Sequence, residues 1–169
     1  PLACGINLLN KKKKIKNFFL INFDKETSCI SLFEESSLVF TKIFPFGTNS
    51  IVNDISKLCS LNENEVRSII KKTDFTISIK KKDYIDKDLF VESKFKKLTT
   101  QHIQEIINAR IVEMLDYLFN KNKNLKYVNN KIFNIDIFFE DKEVLEHLGK
   151  LFYKNLRVDN LETQIELLH

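Results

Sequence analysis

Residues Lys16 to Asn22 (KNFFLIN) form a nearly continuous apolar run, the pattern of a strand covered on both faces. A polar turn, Asp24-Lys25-Glu26, follows. Ser28 to Glu34 (SCISLFE) then alternates, Cys29, Ser31 and Phe33 opposing Ile30 and Leu32. After a second turn, Glu35-Ser36-Ser37, Leu38 to Phe44 (LVFTKIF) reads as a third strand. Three strands joined by short polar turns predict an antiparallel meander.

Pro45-Phe46-Gly47 stops the third strand, and the period changes to that of a helix. Asn49 or Ser50 is the expected cap, with Ile51, Ile55, Leu58 and Cys59 on one face. Asn62 caps a second helix; Glu65 three residues later completes a capping-box pattern, and Val66, Ile69 and Ile70 face inward. Phe75 to Lys80 alternates again. Lys80 to Lys97 carries seven lysines and predicts a solvated hairpin or loop. Thr99 caps the longest helix, through Asn120, its stripe built from Ile103, Ile106, Ile107, Ile111, Met114, Leu115 and Leu118. A polar linker leads to a strand from Lys131 to Phe139 and a helix from Lys142 to Tyr153. Asn155 to Val158 reads as a short strand and Leu161 to Leu168 as one more short helix.

A meander followed by strand–helix–strand crossovers is an α/β sheet with helices packed on it, with an insertion between two long helices. The length of 169 residues fits one domain of ordinary size. Its 43% apolar and 30% charged residues permit a packed core. Only three glycines occur, Gly5, Gly47 and Gly149, so neither a P-loop nor a G-x-G-x-x-G fingerprint can be written. The chain opens on Pro1 without a signal sequence and reads as a piece of something longer.

The net charge of +4 does not point to nucleic acid, because only Arg67, Arg110 and Arg157 among the 27 basic residues are arginine. Abundant Ile, Asn, Phe and Lys fit an AT-rich genome instead. Cys4, Cys29 and Cys59 are odd in number and irregularly spaced, which suits a reducing cytosol rather than disulfides or zinc. No apolar run reaches the ~20 residues of a membrane span. A soluble, cytoplasmic chain is expected. No Ser/His/Asp, Cys/His or paired-carboxylate arrangement demands catalysis.

Several strings resemble the second half of the actin-like bacterial cell-division protein FtsA. Phe44-Pro-Phe-Gly-Thr-Asn-Ser-Ile-Val-Asn-Asp-Ile-Ser56 resembles that family's I-P-x-G-G-x-x-x-T-N-D-I-A segment, with Pro45, Gly47, Asn53, Asp54 and Ile55 matching. Glu65-Val-Arg67 with Lys71 resembles its E-x-x-R/K-x-K helix, and Ile106 to Glu113 its I-I-x-x-R-x-x-E helix. Pro1-Leu-Ala-Cys is similar to the lead-in of its first strand. The resemblance covers essentially the whole chain.

It implies an actin-like (ribonuclease H-like) domain, residues 1–50 and 111–169, with a small α/β subdomain inserted at 51–110. It also implies binding of the C-terminal tail of FtsZ by the insert, assembly with other FtsA-like subunits, and a place at the inner face of the cell membrane at the division site. Membrane attachment would come through a segment absent here. Arg67, Lys71 and Arg110 become candidates for a basic cleft receiving an acidic or carboxylate-ended peptide. The same residues read equally as helix-surface ion pairs, Arg67 with Glu63 and Arg110 with Glu113 or Glu105. Asn53 and Asp54 read first as cap residues, and His102 as an exposed side chain.

The family binds ATP and magnesium between two halves, and here the chain departs from the pattern. Its second phosphate loop, D-x-G-G-G-T-T-D, falls on Asn22 to Cys29, where only Thr27 and Ser28 keep the hydroxyl chemistry. Glycines in such a loop let backbone N–H groups approach phosphates. Asp24 and Glu26 bring negative charge instead, and like charges ~5 Å apart cost about 1–3 kcal/mol at intermediate dielectric. The family's adenosine-loop pattern of a strand followed by T-G-G-G falls on Ile137 to Asp141, where phenylalanines and acids replace the glycines. ATP binding is therefore expected to be weak or lost, leaving a binding and assembly module rather than an enzyme. Alternatives are an ATPase half that binds ATP only with its missing partner half, and an actin-like protein of pilus assembly.

Overall fold

The computed structural model describes residues 17–75, 83–127, 133–156 and 163–168. Strands β1 (Phe18–Phe23), β2 (Ser28–Glu34) and β3 (Ser37–Phe44) form the expected meander. Helices α1 (Asn49–Cys59) and α2 (Glu63–Lys72) follow, and then the long α3 (Thr100–Leu118). β4 (Phe133–Phe139), α4 (Lys142–Asn155) and β5 (Thr163–Leu168) complete the described elements. The five strands lie in the order β3-β2-β1-β4-β5. β2 runs antiparallel to β1 and β3, whereas β4 runs parallel to both β1 and β5.

Two of the expected elements are corrected. The helix expected from Leu161 to Leu168 is a strand over its described part: residues 163–168 pair strand to strand with β4, placing Ile165 beside Ile135 and Leu167 beside Ile137. Its period of two, matched to an open strand edge, overrides its helical reading. The expected strand from Asn155 fails at its first residue, because Asn155 ends α4. There its side chain donates to the Leu151 carbonyl (2.8 Å) and to Asn108 (2.9 Å). Arg157 and Val158 lie outside the described residues, as does most of the strand expected from Phe75.

All six residues of β1 are buried, as its uninterrupted apolar run predicts. Phe19, Ile21 and Phe23 face the helices with Ile135, Ile137 and Phe139 of β4, in one apolar cluster that continues through α1 and α3 to Val66, Ile69, Ile85 and Leu89. On the opposite face Phe18 stacks on Phe33 at 4.6 Å. Phe23, Phe139 and Phe152 meet pairwise at 4.8–5.2 Å under the C-terminal ends of β1 and β4. Such pairs add ~0.5–1.5 kcal/mol beyond their buried area and fix the strand ends that carry the site.

The helix signals mostly behave as written. Thr99 caps α3 by accepting from the His102 N–H at 3.2 Å. α1 differs: its N-cap is Thr48 with no side-chain cap bond, because the β1–β2 turn supplies the acceptors. The Thr48 N–H donates to the Asp24 carbonyl and the Asn49 N–H to the Lys25 carbonyl, both at 2.9 Å. Leu58, expected inward, is 67% exposed, and Val52 is buried in its stead. With glycine scarce, Ser60 takes the left-handed position after α1 at φ 50°.

The lysine-rich stretch is less solvated than expected, since Ile85 and Leu89 are buried and Tyr84 bridges to Thr99. Glu65 holds it down. Beyond its capping-box bond from the Asn62 N–H (2.9 Å), the Glu65 carboxylate accepts from the N–H groups of Glu92 (2.8 Å) and Ser93 (2.9 Å) and from the Ser93 hydroxyl. Burial alone would raise its pKa, but these four donors prevail and lower it from 4.5 to about 2. A group lowered on folding stabilises the protein above its unfolded value, and that stabilisation disappears as the pH falls from 4.5 toward 2. Glu65→Gln should therefore cost about 1–3 kcal/mol at pH 7. Urea titrations between pH 7 and pH 2 should show a flatter acid limb for the variant than for the wild type.

Candidate functional site

The parallel strands β1 and β4 end side by side, and the crevice outside the C-terminal ends of parallel strands is where an α/β sheet receives ligands. The β1–β2 turn, the start of α1, the middle of α2 and the β4–α4 junction all meet there. Backbone contact sets the geometry. A Cβ on Gly47 would stand 2.3 Å from the Asp24 carbonyl oxygen and 2.5 Å from that of Lys25. Only glycine lets α1 begin this close to the turn.

Polar side chains cross this end of the sheet in a continuous series. Asn49, at the start of α1, donates its amide to Glu26 of the turn at 2.5 Å. Its amide oxygen accepts from Arg67 Nη2, and Arg67 Nη1 lies 3.5 Å from the carboxylate of Asp141. Asn22, at the end of β1, donates to Glu140 at 3.0 Å, and the Glu140 N–H donates to the Phe23 carbonyl at 3.0 Å. The Asn22 side-chain oxygen is buried without a hydrogen-bond partner among the described residues.

This end does not fit a magnesium–polyphosphate. In the turn, the Asp24 N–H is taken by the Thr27 carbonyl (2.9 Å) and the Lys25 N–H by the Asp24 carboxylate (2.6 Å). Thr27 is exposed, while the Ser28 hydroxyl is buried and donates to the Phe46 carbonyl at 2.6 Å. Neither of those two N–H groups is left for an anion, and Asp24 and Glu26 repel one. Among the described residues no group of three or more His, Cys, Asp or Glu could hold a metal ion.

Arg67, Lys71 and Arg110 each meet different partners. Arg67 belongs to the strand-end series. Lys71 borders a cavity of about 220 Å³ with Lys72, Asp74, Glu146, His147 and Lys150 between α2 and α4. Arg110 lies between α1 and α3, where its Nε and Nη2 grip the Asp54 carboxylate at 2.5 and 2.8 Å and its Nη1 bonds Glu113 at 2.7 Å. The bonds to Asp54, more than the opposing burial, raise the Arg110 pKa further. Sequence reading anticipated the Arg110–Glu113 pair, but neither Asp54 nor Asp141 as a partner. Asp54 stood out as a cap candidate and as a match to the family's segment, not as an ion-pair partner, and nothing local marks Asp141 as the counter-ion of Arg67.

The fold is that of the actin-like proteins. It is similar to the ethanolamine utilization protein EutJ from Carboxydothermus hydrogenoformans, at TM-score 0.59 and 13% identity over 92% of this chain and 46% of that one. It is also similar to MreB 5 of Spiroplasma citri bound to AMPPNP, at TM-score 0.58 and 13% identity over 96% and 51%. A type IV pilus biogenesis complex of PilM and PilN gives TM-score 0.56 and 13% identity over 96% and 42%. The chain thus spans about half the length of the proteins it matches. No family model matches it, and no curated protein matches it. Among the described residues no helix is long and apolar enough to cross a membrane.

The Asp54–Arg110 pair is part-exposed, at 25% and 29% for the two side chains. Its coupling should therefore be about 1 kcal/mol, well below the 3–5 kcal/mol of breaking a fully buried pair. A double-mutant cycle of Asp54→Ala and Arg110→Ala, read by urea unfolding, measures it.

Proposed function

We propose that this chain is one lobe of an actin-like protein whose nucleotide end is closed by its own side chains, and that it works as a binding and assembly module rather than as an ATPase lobe. The observation that carries this reading is the series Glu26–Asn49–Arg67–Asp141 across the strand ends. A cation that could meet an incoming phosphate is already engaged by Asp141. The turn beneath it presents carboxylates where a phosphate loop presents N–H groups.

Within that class the sequence favours a cell-division role like that of FtsA, supported by the Phe44–Ser56 segment and the helix pattern around Arg110. In that role the inserted segment, residues 51–110, binds the FtsZ C-terminal tail and the lobe assembles with further FtsA-like subunits. It reaches the division site at the inner face of the membrane through a segment outside this chain. The alternatives, an ATPase lobe completed by its other half and a pilus-assembly protein, share the fold and differ in what they bind.

Calorimetry of the full-length protein with Mg-ATP should give no binding isotherm; a micromolar isotherm would remove the closed-end reading and leave the ATPase alternative. For the partner, an FtsZ tail peptide titrated by fluorescence anisotropy should bind the wild type. Arg67→Ala or Arg110→Ala should weaken it about tenfold if that arginine meets the peptide. Equal binding by wild type and both variants removes these residues from the peptide site. Failure of the wild type to bind removes the FtsZ assignment.

A further inference from the structure

Arg110 stands beside a groove of about 380 Å³ between α1 and α3, lined by Asp54, Leu58, His102, Glu105, Ile106, Ala109 and Glu113. Leu58 and Ala109 are exposed and Ile106 is buried beneath them, so the groove has a short apolar lining carried at the surface by Leu58 and Ala109. Leu58 is 67% exposed although it sits on a helix whose neighbours Ile55 and Cys59 are core residues. A single exposed leucine needs no explanation, but this one lies in a concavity with a charged rim.

The rim decides what chemistry the groove accepts. Asp54, Glu105 and Glu113 line the groove with a single guanidinium, and that guanidinium is already held by Asp54 and Glu113. Glu105 accepts from the neutral amide of Gln101 at 2.9 Å, and Glu113 is 48% exposed. Three carboxylates against one guanidinium make this part of the rim acidic. An acid-ended peptide would have to displace Asp54 or Glu113 from Arg110 and then face the remaining carboxylates. A basic one meets Glu105 and Glu113 directly and leaves the Arg110–Asp54 fork intact.

We infer that this groove docks a short partner segment that places one or two aliphatic side chains against Leu58, Ile106 and Ala109 and flanks them with lysine or arginine. Charge complementarity chooses the occupant, and the apolar lining supplies the contact area. The inference rests on the peptide-binding part of the proposed function, whose partner chemistry it names, and not on the closed nucleotide end. It reverses the sign expected from Arg110 alone.

The test uses ¹⁵N-labelled full-length protein titrated with an octapeptide of leucines flanked by lysines, and with its glutamate-flanked counterpart. The lysine peptide should shift the amide signals of Leu58, Ile106 and Ala109 saturably, and the glutamate peptide should bind at least about tenfold more weakly. Leu58→Ser and the pair Glu105→Lys/Glu113→Lys alter exposed positions, so both should fold, as circular dichroism checks. Each should weaken the lysine peptide by about tenfold. Absence of saturable shifts, equal binding of the two peptides, or indifference to Leu58→Ser overturns the inference. An FtsZ tail that binds while leaving the groove amides unmoved overturns the groove as the peptide site, yet leaves the cell-division reading standing. A groove that takes the lysine peptide but not the FtsZ tail supports the inference and removes the FtsZ assignment.

Discussion

The constraint on which this end of the sheet depends is the approach of Gly47 to the β1–β2 turn, where a Cβ would meet backbone oxygen at 2.3 Å. Because the chain can come this near, the carbonyls of Asp24 and Lys25 accept the first N–H groups of α1, and no side-chain cap is needed. That contact fixes the direction in which α1 leaves the sheet. It also places Asn49 between Glu26 below and Arg67 above. Loss of this approach would remove a packing contact and two helix-capping bonds together, and would move the polar series that closes the strand ends.

Scarce glycine acquires a position-specific meaning from this contact. Gly47 persists at a place where backbone meets backbone, a steric demand independent of any ligand. A glycine in a phosphate loop would serve a different demand, the approach of backbone to a phosphate. The β1–β2 turn has Asp24, Lys25 and Glu26 there, with the Asp24 and Lys25 N–H groups held by the turn's own acceptors.

Much of the fold was legible because its signals are local. The six-residue apolar run of β1, the Asn62–Glu65 capping box and the Thr99 cap each depend on neighbours within a turn of helix or strand. What failed depends on partners distant in sequence. Residues 163–168 form a strand because β4 offers a free edge, and their own pattern fits helix as well. Leu58 lies on the flank of α1 that faces α3, so helical spacing alone put it in the core. Distant partners also set the surroundings of the cations: Arg67 meets Asp141 at the β4–α4 junction, while Lys71, one turn on, borders a cavity with Glu146, His147 and Lys150.

The two described arginines sharpen what the basic composition means. In a chain where lysine outnumbers arginine so heavily, both Arg67 and Arg110 join elements through planar, multi-donor contacts. Arg67 ties α2 to α1 and to the β4–α4 junction, and Arg110 ties α3 to α1. A lysine at either place could satisfy one acceptor but not two in fixed directions, so the fork geometry explains why arginine stands there. A guanidinium so engaged reaches a ligand only by surrendering a carboxylate it already holds. The local field outside such an arginine is then set by the acids around it. At the α1–α3 groove those acids outnumber the cation, so a sequence that looks basic along the chain folds into a surface that selects for basic partners.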